Sequence, residues 1–202
     1  KEMLRTEITE LDKQILEITG LENQRERLLA RMQVIDQLQR SRPEVVHLFD
    51  DLVSSLPWRQ RTGVLMFDRV VDEPRLSAWW TLDSGEPEPV PLLREIRLLL
   101  AERYDEPFDS IGFNLYRHGN DSVAWHGDRH AHIVTNPVVA IASVGAPRPF
   151  RLRPRGGGAS RTWSLGNGDL FVMGGACQHD WEHTVPKVRT TTGPRLSITF
   201  RS

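Results

Sequence analysis

Arg195-Leu196-Ser197-Ile198-Thr199-Phe200-Arg201 (RLSITFR) alternates strictly between apolar and polar residues. On an extended chain successive side chains point to opposite faces. The seven residues therefore read as a strand with Leu196, Ile198 and Phe200 on one side and two arginines on the other. Six positions apart, Arg195 and Arg201 share a face, toward the core if the apolar residues occupy the opposite one. Two inward arginines are costly without anionic partners. The bland alternative is a pair of exposed charges that protect an edge strand from aggregation. The rest of the chain has to choose between them.

Working back from this strand, short β-like runs recur between Gly- and Pro-rich turns: Ile111–Arg117, Val138–Val144, Phe150–Arg153 and Asp169–Met173. That grammar argues for a β-sandwich or barrel. One helix interrupts it, Val90–Tyr104, with apolar residues at 92, 93, 96, 99 and 100. Upstream, a short amphipathic segment carries Val46, Leu48, Phe49, Leu52 and Val53 on one face and stops at Leu56-Pro57-Trp58. Residues 1–41 read as one long helix. Leu4, Ile8, Leu11, Ile15 and Ile18 follow heptad spacing, the register breaks near Gly20, and Leu28, Met32 and Ile35 restart a stripe. The stripe either packs on its own domain or forms a coiled coil with another chain. Ser41-Arg42-Pro43 ends this helix, since the residue before proline is driven out of the helical region.

The 202 residues suffice for one sizeable domain with an appendage, and a net charge of −1 says little about partners. No run of about 18 apolar residues suggests a spanning helix, and the charged start KEMLRTEITE shows no signal peptide. Cys177 has no second cysteine to pair with, so a cytoplasmic location is expected.

Trp125-His126-Gly127-Asp128-Arg129-His130 is where metal chemistry suggests itself. His126 and Asp128, at i and i+2 on a strand, share a face and can reach one ion. Alone, His-x-Asp is as readily a solvated turn. A distant histidine would complete the two-His-one-carboxylate set of non-haem Fe(II) oxygenases. His179 and His183, in QHDWEHTVPK, are the candidates, and position alone does not choose between them. His118, His130 and His132 are local alternatives expected at the surface, and His47 lies in the helical segment. Such an iron needs a co-substrate. If that is 2-oxoglutarate, Arg195 or Arg201 meets its distal carboxylate better than a lysine would, and Asn114 with Tyr116 forms a second same-face pair of donors.

Asn114-Leu115-Tyr116, His126-Gly127-Asp128, PVVAIASVG (137–145), GDLFVMGGACQHDWEHTVPK (168–187) and the terminal PRLSITFR together resemble the AlkB family of Fe(II)- and 2-oxoglutarate-dependent dioxygenases. LPWR (56–59) and FDRVVDEPRL (67–76) are similar to earlier blocks of the family, so the resemblance spans roughly Leu48 to Ser202. It implies an α+β protein with a double-stranded β-helix (jelly-roll) domain. It assigns Fe(II) to His126, Asp128 and His183, and 2-oxoglutarate to Asn114, Tyr116, Arg195 and Arg201. Arg195 would pair with the distal carboxylate, and Arg201 would lie near the one that chelates iron. The reaction implied is oxidative demethylation of N-alkylated bases in DNA or RNA, releasing formaldehyde, succinate and CO₂.

For the substrate, five arginines and no acid lie between Ala146 and Thr162, Arg148, Arg151 and Arg153 among them, and suggest a phosphate-binding edge. Phe67, Arg69, Trp79 and Trp80 fall in the region that covers the active site in the family, and an aromatic there can stack on a flipped base. Arg129-His130 replace the acidic residues that many members carry after the His-x-Asp motif. Residues 1–53 resemble something else, the type IV pilus assembly protein family PilN. The expected division is therefore a helical segment 1–53, suited to self-association, and an oxygenase domain 54–202, in a chain that reads as a composite. Two rivals follow: an oxygenase of the same fold acting on something other than nucleic acid, and an inactive composite whose helix mediates assembly.

Overall fold

A computed structural model describes residues 18–19, 42–66, 69–128 and 137–202. Of the long helix expected over 1–41, only Ile18 and Thr19 are described, and both are helical. The heptad stripe otherwise lies outside the described residues.

Besides Ile18-Thr19, the described residues form the α-helices α1 (Arg42–Ser55), α2 (Pro91–Tyr104) and the short α3 (Cys177–Asp180). The strands are β1 (Val64–Met66), β2 (Arg69–Val71), β3 (Leu76–Thr81), β4 (Ser110–Tyr116), β5 (Val123–His126), β6 (Val139–Gly145), β7 (Arg148–Pro154), β8 (Arg161–Leu165), β9 (Leu170–Met173), β10 (Trp181–Val185) and β11 (Arg195–Arg201). A five-stranded sheet runs β3-β4-β11-β6-β9 and a four-stranded one β5-β10-β7-β8, with β1-β2 a separate hairpin. Every pairing is antiparallel. This is the two-sheet arrangement of a jelly roll.

The RLSITFR strand sits in the middle of the larger sheet, between β4 and β6. That position removes the edge-strand explanation for its arginines. Leu196, Ile198 and Phe200 are fully buried against the helix-covered face, in one core with Leu93, Ile96 and Leu100 of α2 and Leu48 and Leu52 of α1. The opposite face carries Arg195, Ser197, Thr199 and Arg201, and it looks toward the smaller sheet. Both faces are thus covered, which is why β6 reads as an almost unbroken apolar run rather than an alternation. Its Ala140, Ala142 and Val144 join the helix-side core, while Val139 and Ile141 pack with Phe150, Leu152 and Val185 between the sheets.

The helix α2 matches its expected bounds, opening with Pro91 at its first turn and closing on Asp105 in the left-handed region at φ 52°. Strands β1, β2, β3, β5, β8 and β10 are not among the expected ones. Each is too short for a period to declare itself.

Candidate metal and co-substrate site

Between the two sheets lies a cavity of about 560 Å³. Its floor is built by the β5–β10 pair. His126 on β5 and His183 on β10 stand directly opposite each other in the antiparallel register, so their side chains share a face. Their ring centroids are 4.2 Å apart. Asp128, just beyond β5, brings its carboxylate to the same point, and the ligand atoms of His126, Asp128 and His183 all lie within 4.8 Å of one another. His179 lies instead on α3 and is exposed, His118 is exposed as expected, and His47, on α1, is exposed too. His130 and His132 lie outside the described residues.

The donor set suits a divalent first-row metal. His126 Nδ1 meets the carbonyl of Ala124 at 2.8 Å, which requires a proton on Nδ1 and leaves Nε2 as the nitrogen that would face a metal. Burial, reinforced by neighbouring His126, pushes the His183 imidazole down to about 3, so it is neutral and able to coordinate. Burial works against the charge of Asp128, but neighbouring positive charge, Arg201 foremost, outweighs it and holds the carboxyl below the usual carboxylate range. Its Oδ2 is buried without a hydrogen-bond partner among the described residues, an acceptor that only a cation or donor would satisfy.

The wall of the cavity comes from the inner face of the larger sheet. Arg195 is fully buried, yet among the described residues its guanidinium makes one hydrogen bond, from Nη2 to Ser143 Oγ at 2.8 Å, and its Nε and Nη1 have no partner. Burial pulls this guanidinium below its ordinary value. Tyr116 lies directly opposite in register, with the Arg195 guanidinium 5.7 Å from its ring centre. Burial raises the Tyr116 hydroxyl against the opposing pull of Arg195, so it stays a protonated donor. Two cationic donors without a partner among the described residues, next to a phenol that lines the cavity, fit a carboxylate. Asn114 lines the same cavity one pleat away.

Arg201 lies at the opposite end of β11, beside the metal cluster rather than beside Arg195. It donates to Asp128 and lies 4.9 Å below the ring of Trp79. Gly112 makes room for this stack: a Cβ there would fall 2.5 Å from Trp79 Cζ3 and 2.6 Å from Arg201 Nη1. Gly127 is similar, since a Cβ between the two ligands on β5 and beyond would meet Arg155 Nη2 at 2.6 Å.

The residues expected to touch substrate are placed unequally. Trp79 lines the cavity and is 47% exposed, whereas Trp80, on the other face of β3, is core and donates its indole N–H to Glu86. Phe67 lies outside the described residues, and Arg69 is the first residue of β2. Arg148, expected on a basic edge, is instead fully buried and spends its guanidinium on the carbonyls of His118, Asp121 and Pro186. It points inward because β7 alternates, placing 148, 150 and 152 inside and 151 and 153 outside. Arg153 is held by Glu182 at 2.7 Å and lies over the Trp125 ring at 4.1 Å, and Arg151 is exposed. The sequence reading missed Glu73 and Arg75, which also line the cavity. Glu73-Pro74-Arg75 falls within the block FDRVVDEPRL that resembles the family, but its residue types alone read as an ordinary charged turn.

The profile of the 2OG-Fe(II) oxygenase superfamily matches residues 31–201. The chain is 35% identical over 177 residues to the bovine (Bos taurus) alpha-ketoglutarate-dependent dioxygenase alkB homolog 3, covering 79% of this chain and 62% of that one. It therefore spans under two thirds of the length of that relative. The DNA oxidative demethylase ALKBH2 of Arabidopsis thaliana is 28% identical over 194 residues, covering 76% of this chain and 60% of its own. A crystal structure of a 2OG-Fe(II) oxygenase family oxidoreductase from Burkholderia pseudomallei superimposes with a TM-score of 0.55 over 78% of each chain, at 16% identity, a likeness of fold.

Proposed function

From the premise that the chain belongs to the 2OG-Fe(II) oxygenase superfamily, among its AlkB-type members, we propose that it oxidatively removes alkyl groups from nucleobases in DNA or RNA. The observation that carries this is the convergence of His126, Asp128 and His183 beside a cavity that Tyr116 also lines, with Arg195 opposite Tyr116 in register and two of its donors without a partner among the described residues. The names of the relatives support the choice of a nucleic-acid substrate: one is a dioxygenase, another a DNA oxidative demethylase.

The chain's own residues divide the work. His126 and His183 would hold a divalent metal through imidazole nitrogens and Asp128 through a carboxylate oxygen, a three-residue set that leaves positions open for other ligands. With 2-oxoglutarate and O₂, bound Fe(II) supplies the oxidising chemistry that hydroxylates an N-alkyl carbon. Arg195 and Tyr116 take the distal carboxylate of 2-oxoglutarate, and Asn114 donates to the same molecule nearer the metal. Arg201 steadies Asp128 and carries Trp79, whose ring forms a flat platform at the cavity mouth for an extruded base. Ile141, Phe150 and Val185 line the interior and keep it poor in water.

The test is mass-spectrometric. The Fe(II)-loaded chain, given O₂, 2-oxoglutarate and N-methylated single-stranded oligonucleotides, should yield unmodified base, formaldehyde and succinate in equal amounts. Succinate formation that methylated nucleic acid leaves unstimulated, but another substrate class stimulates, would move the chain to an oxygenase of different specificity. Failure to bind any divalent metal would leave only an assembly role.

A further inference from the structure

We infer that Glu73 and Arg75 are positioning residues for the co-substrate, acting through the side-chain amide of Asn114; the inference rests on the assignment of Asn114 to 2-oxoglutarate binding. Arg75 Nε donates to Asn114 Oδ1 at 2.8 Å. A guanidinium nitrogen can only donate, so the atom it meets must be the amide oxygen. This settles which way the amide is turned. The oxygen faces Arg75, and the NH₂ group, which makes no hydrogen bond among the described residues, is left to donate to a ligand in the cavity. The flipped amide would present its oxygen to a carboxylate, acceptor against acceptor, while stranding the Arg75 donor.

Arg75 is itself held. Its Nη2 meets Glu73 Oε2 at 2.9 Å, and the other carboxylate oxygen faces Arg61 at 3.4 Å. Glu73 is only 9% exposed, and the turn carrying it is tied down by Glu73 N–H to the Arg61 carbonyl at 2.8 Å and by Gln60 Nε2 to the Glu73 carbonyl at 3.0 Å. An ion pair serving stability alone would not require Arg75 to reach from the turn before β3 across to a side chain on β4. Pairing with Glu73 also neutralises Arg75, so that it orients the amide rather than competing with Asn114 for the anion. A polar side chain held by a second row of hydrogen bonds is the usual means of fixing ligand geometry.

The experiment is a double-mutant cycle read by binding. Titration calorimetry of the Mn(II)-loaded full chain gives the 2-oxoglutarate Kd for wild type, Arg75→Met, Asn114→Ala and the double variant, with thermal melts to confirm folding. Each single change should raise Kd about tenfold, near the worth of one hydrogen bond, and the double no further than Asn114→Ala. Asn114→Asp, which keeps an acceptor for Arg75 but turns an oxygen to the ligand, should bind as poorly as Asn114→Ala. Glu73→Gln should fall between wild type and Arg75→Met. The inference is overturned if Arg75→Met leaves Kd unchanged, if its effect adds fully to that of Asn114→Ala, or if Asn114→Asp binds like wild type. A wild-type chain that fails to bind 2-oxoglutarate overturns the functional reading instead.

Discussion

Arg201 donates from both Nε and Nη2 to a single oxygen of Asp128, Oδ1, at 3.3 and 3.0 Å, and leaves Oδ2 buried and unpartnered among the described residues. The two carboxylate oxygens therefore have different roles: one is fixed by β11, and the other is left for a cation or donor. Outer partners of this kind typically contribute 10–100-fold in metal affinity. Arg201→Met should weaken Mn(II) binding by about that factor, measured by calorimetry, while Asp128→Ala should abolish it. Undiminished affinity in Arg201→Met would mean that Asp128 is oriented by something else.

Arg195 opposes function to stability. A fully buried guanidinium with two unpartnered nitrogens costs the fold free energy that a ligand carboxylate would restore. Arg195→Met should lose 2-oxoglutarate binding by a factor of about a hundred, in line with the ~2–5 kcal/mol for removing one partner of a buried charged pair. The same variant should melt no lower than wild type without ligand, and 2-oxoglutarate should stabilise wild type alone. A variant that unfolds early would show that Arg195 supports the fold.

Arg148 and Arg151, three positions apart on β7, should behave as opposites in urea unfolding. Arg148→Ala strands the carbonyls of His118, Asp121 and Pro186 and should cost about 2–4 kcal/mol. Arg151→Ala, at the surface, should stay within ~0.5 kcal/mol.

Trp79→Ala should weaken binding of a methylated oligonucleotide about tenfold or more, from a stacking worth of ~1–3 kcal/mol per base, without changing the 2-oxoglutarate Kd. Gly112→Ala should produce a similar loss, because its Cβ would displace the same ring. An oligonucleotide affinity untouched by both would place the base elsewhere.

Asp121 predicts an acid limb of stability. Burial alone would raise its carboxyl, but hydrogen bonds and charge from Arg117 hold it below the ordinary 3.8. On acidification the unfolded chain then takes up this proton first. The contribution is fully present above about 3.8 and is lost as pH falls through the lower folded value. The stability gap between wild type and Asp121→Asn, followed by urea unfolding, should hold steady down to pH 5 and close below pH 4. A gap independent of pH would remove the Arg117 pairing as its cause.

The sequence by itself determined the β-character of the chain, because alternation along RLSITFR and the apolar run of β6 are local properties of an extended backbone. It also placed two arginines, an asparagine and a tyrosine on shared strand faces, since period two alone settles that. Family resemblance rather than spacing selected His183 over His179. The tertiary structure decided what no local pattern encodes. β11 is central, so its arginines are buried. The antiparallel register sets His126 against His183 across 57 intervening steps of chain. Arg148 faces inward while Arg151 faces out, and Glu73 with Arg75 reaches Asn114 on a neighbouring strand. A side chain's face is written in the chain's own geometry, whereas its partner depends on which strands pair and in what register, and that is fixed only when the sheets close around one core.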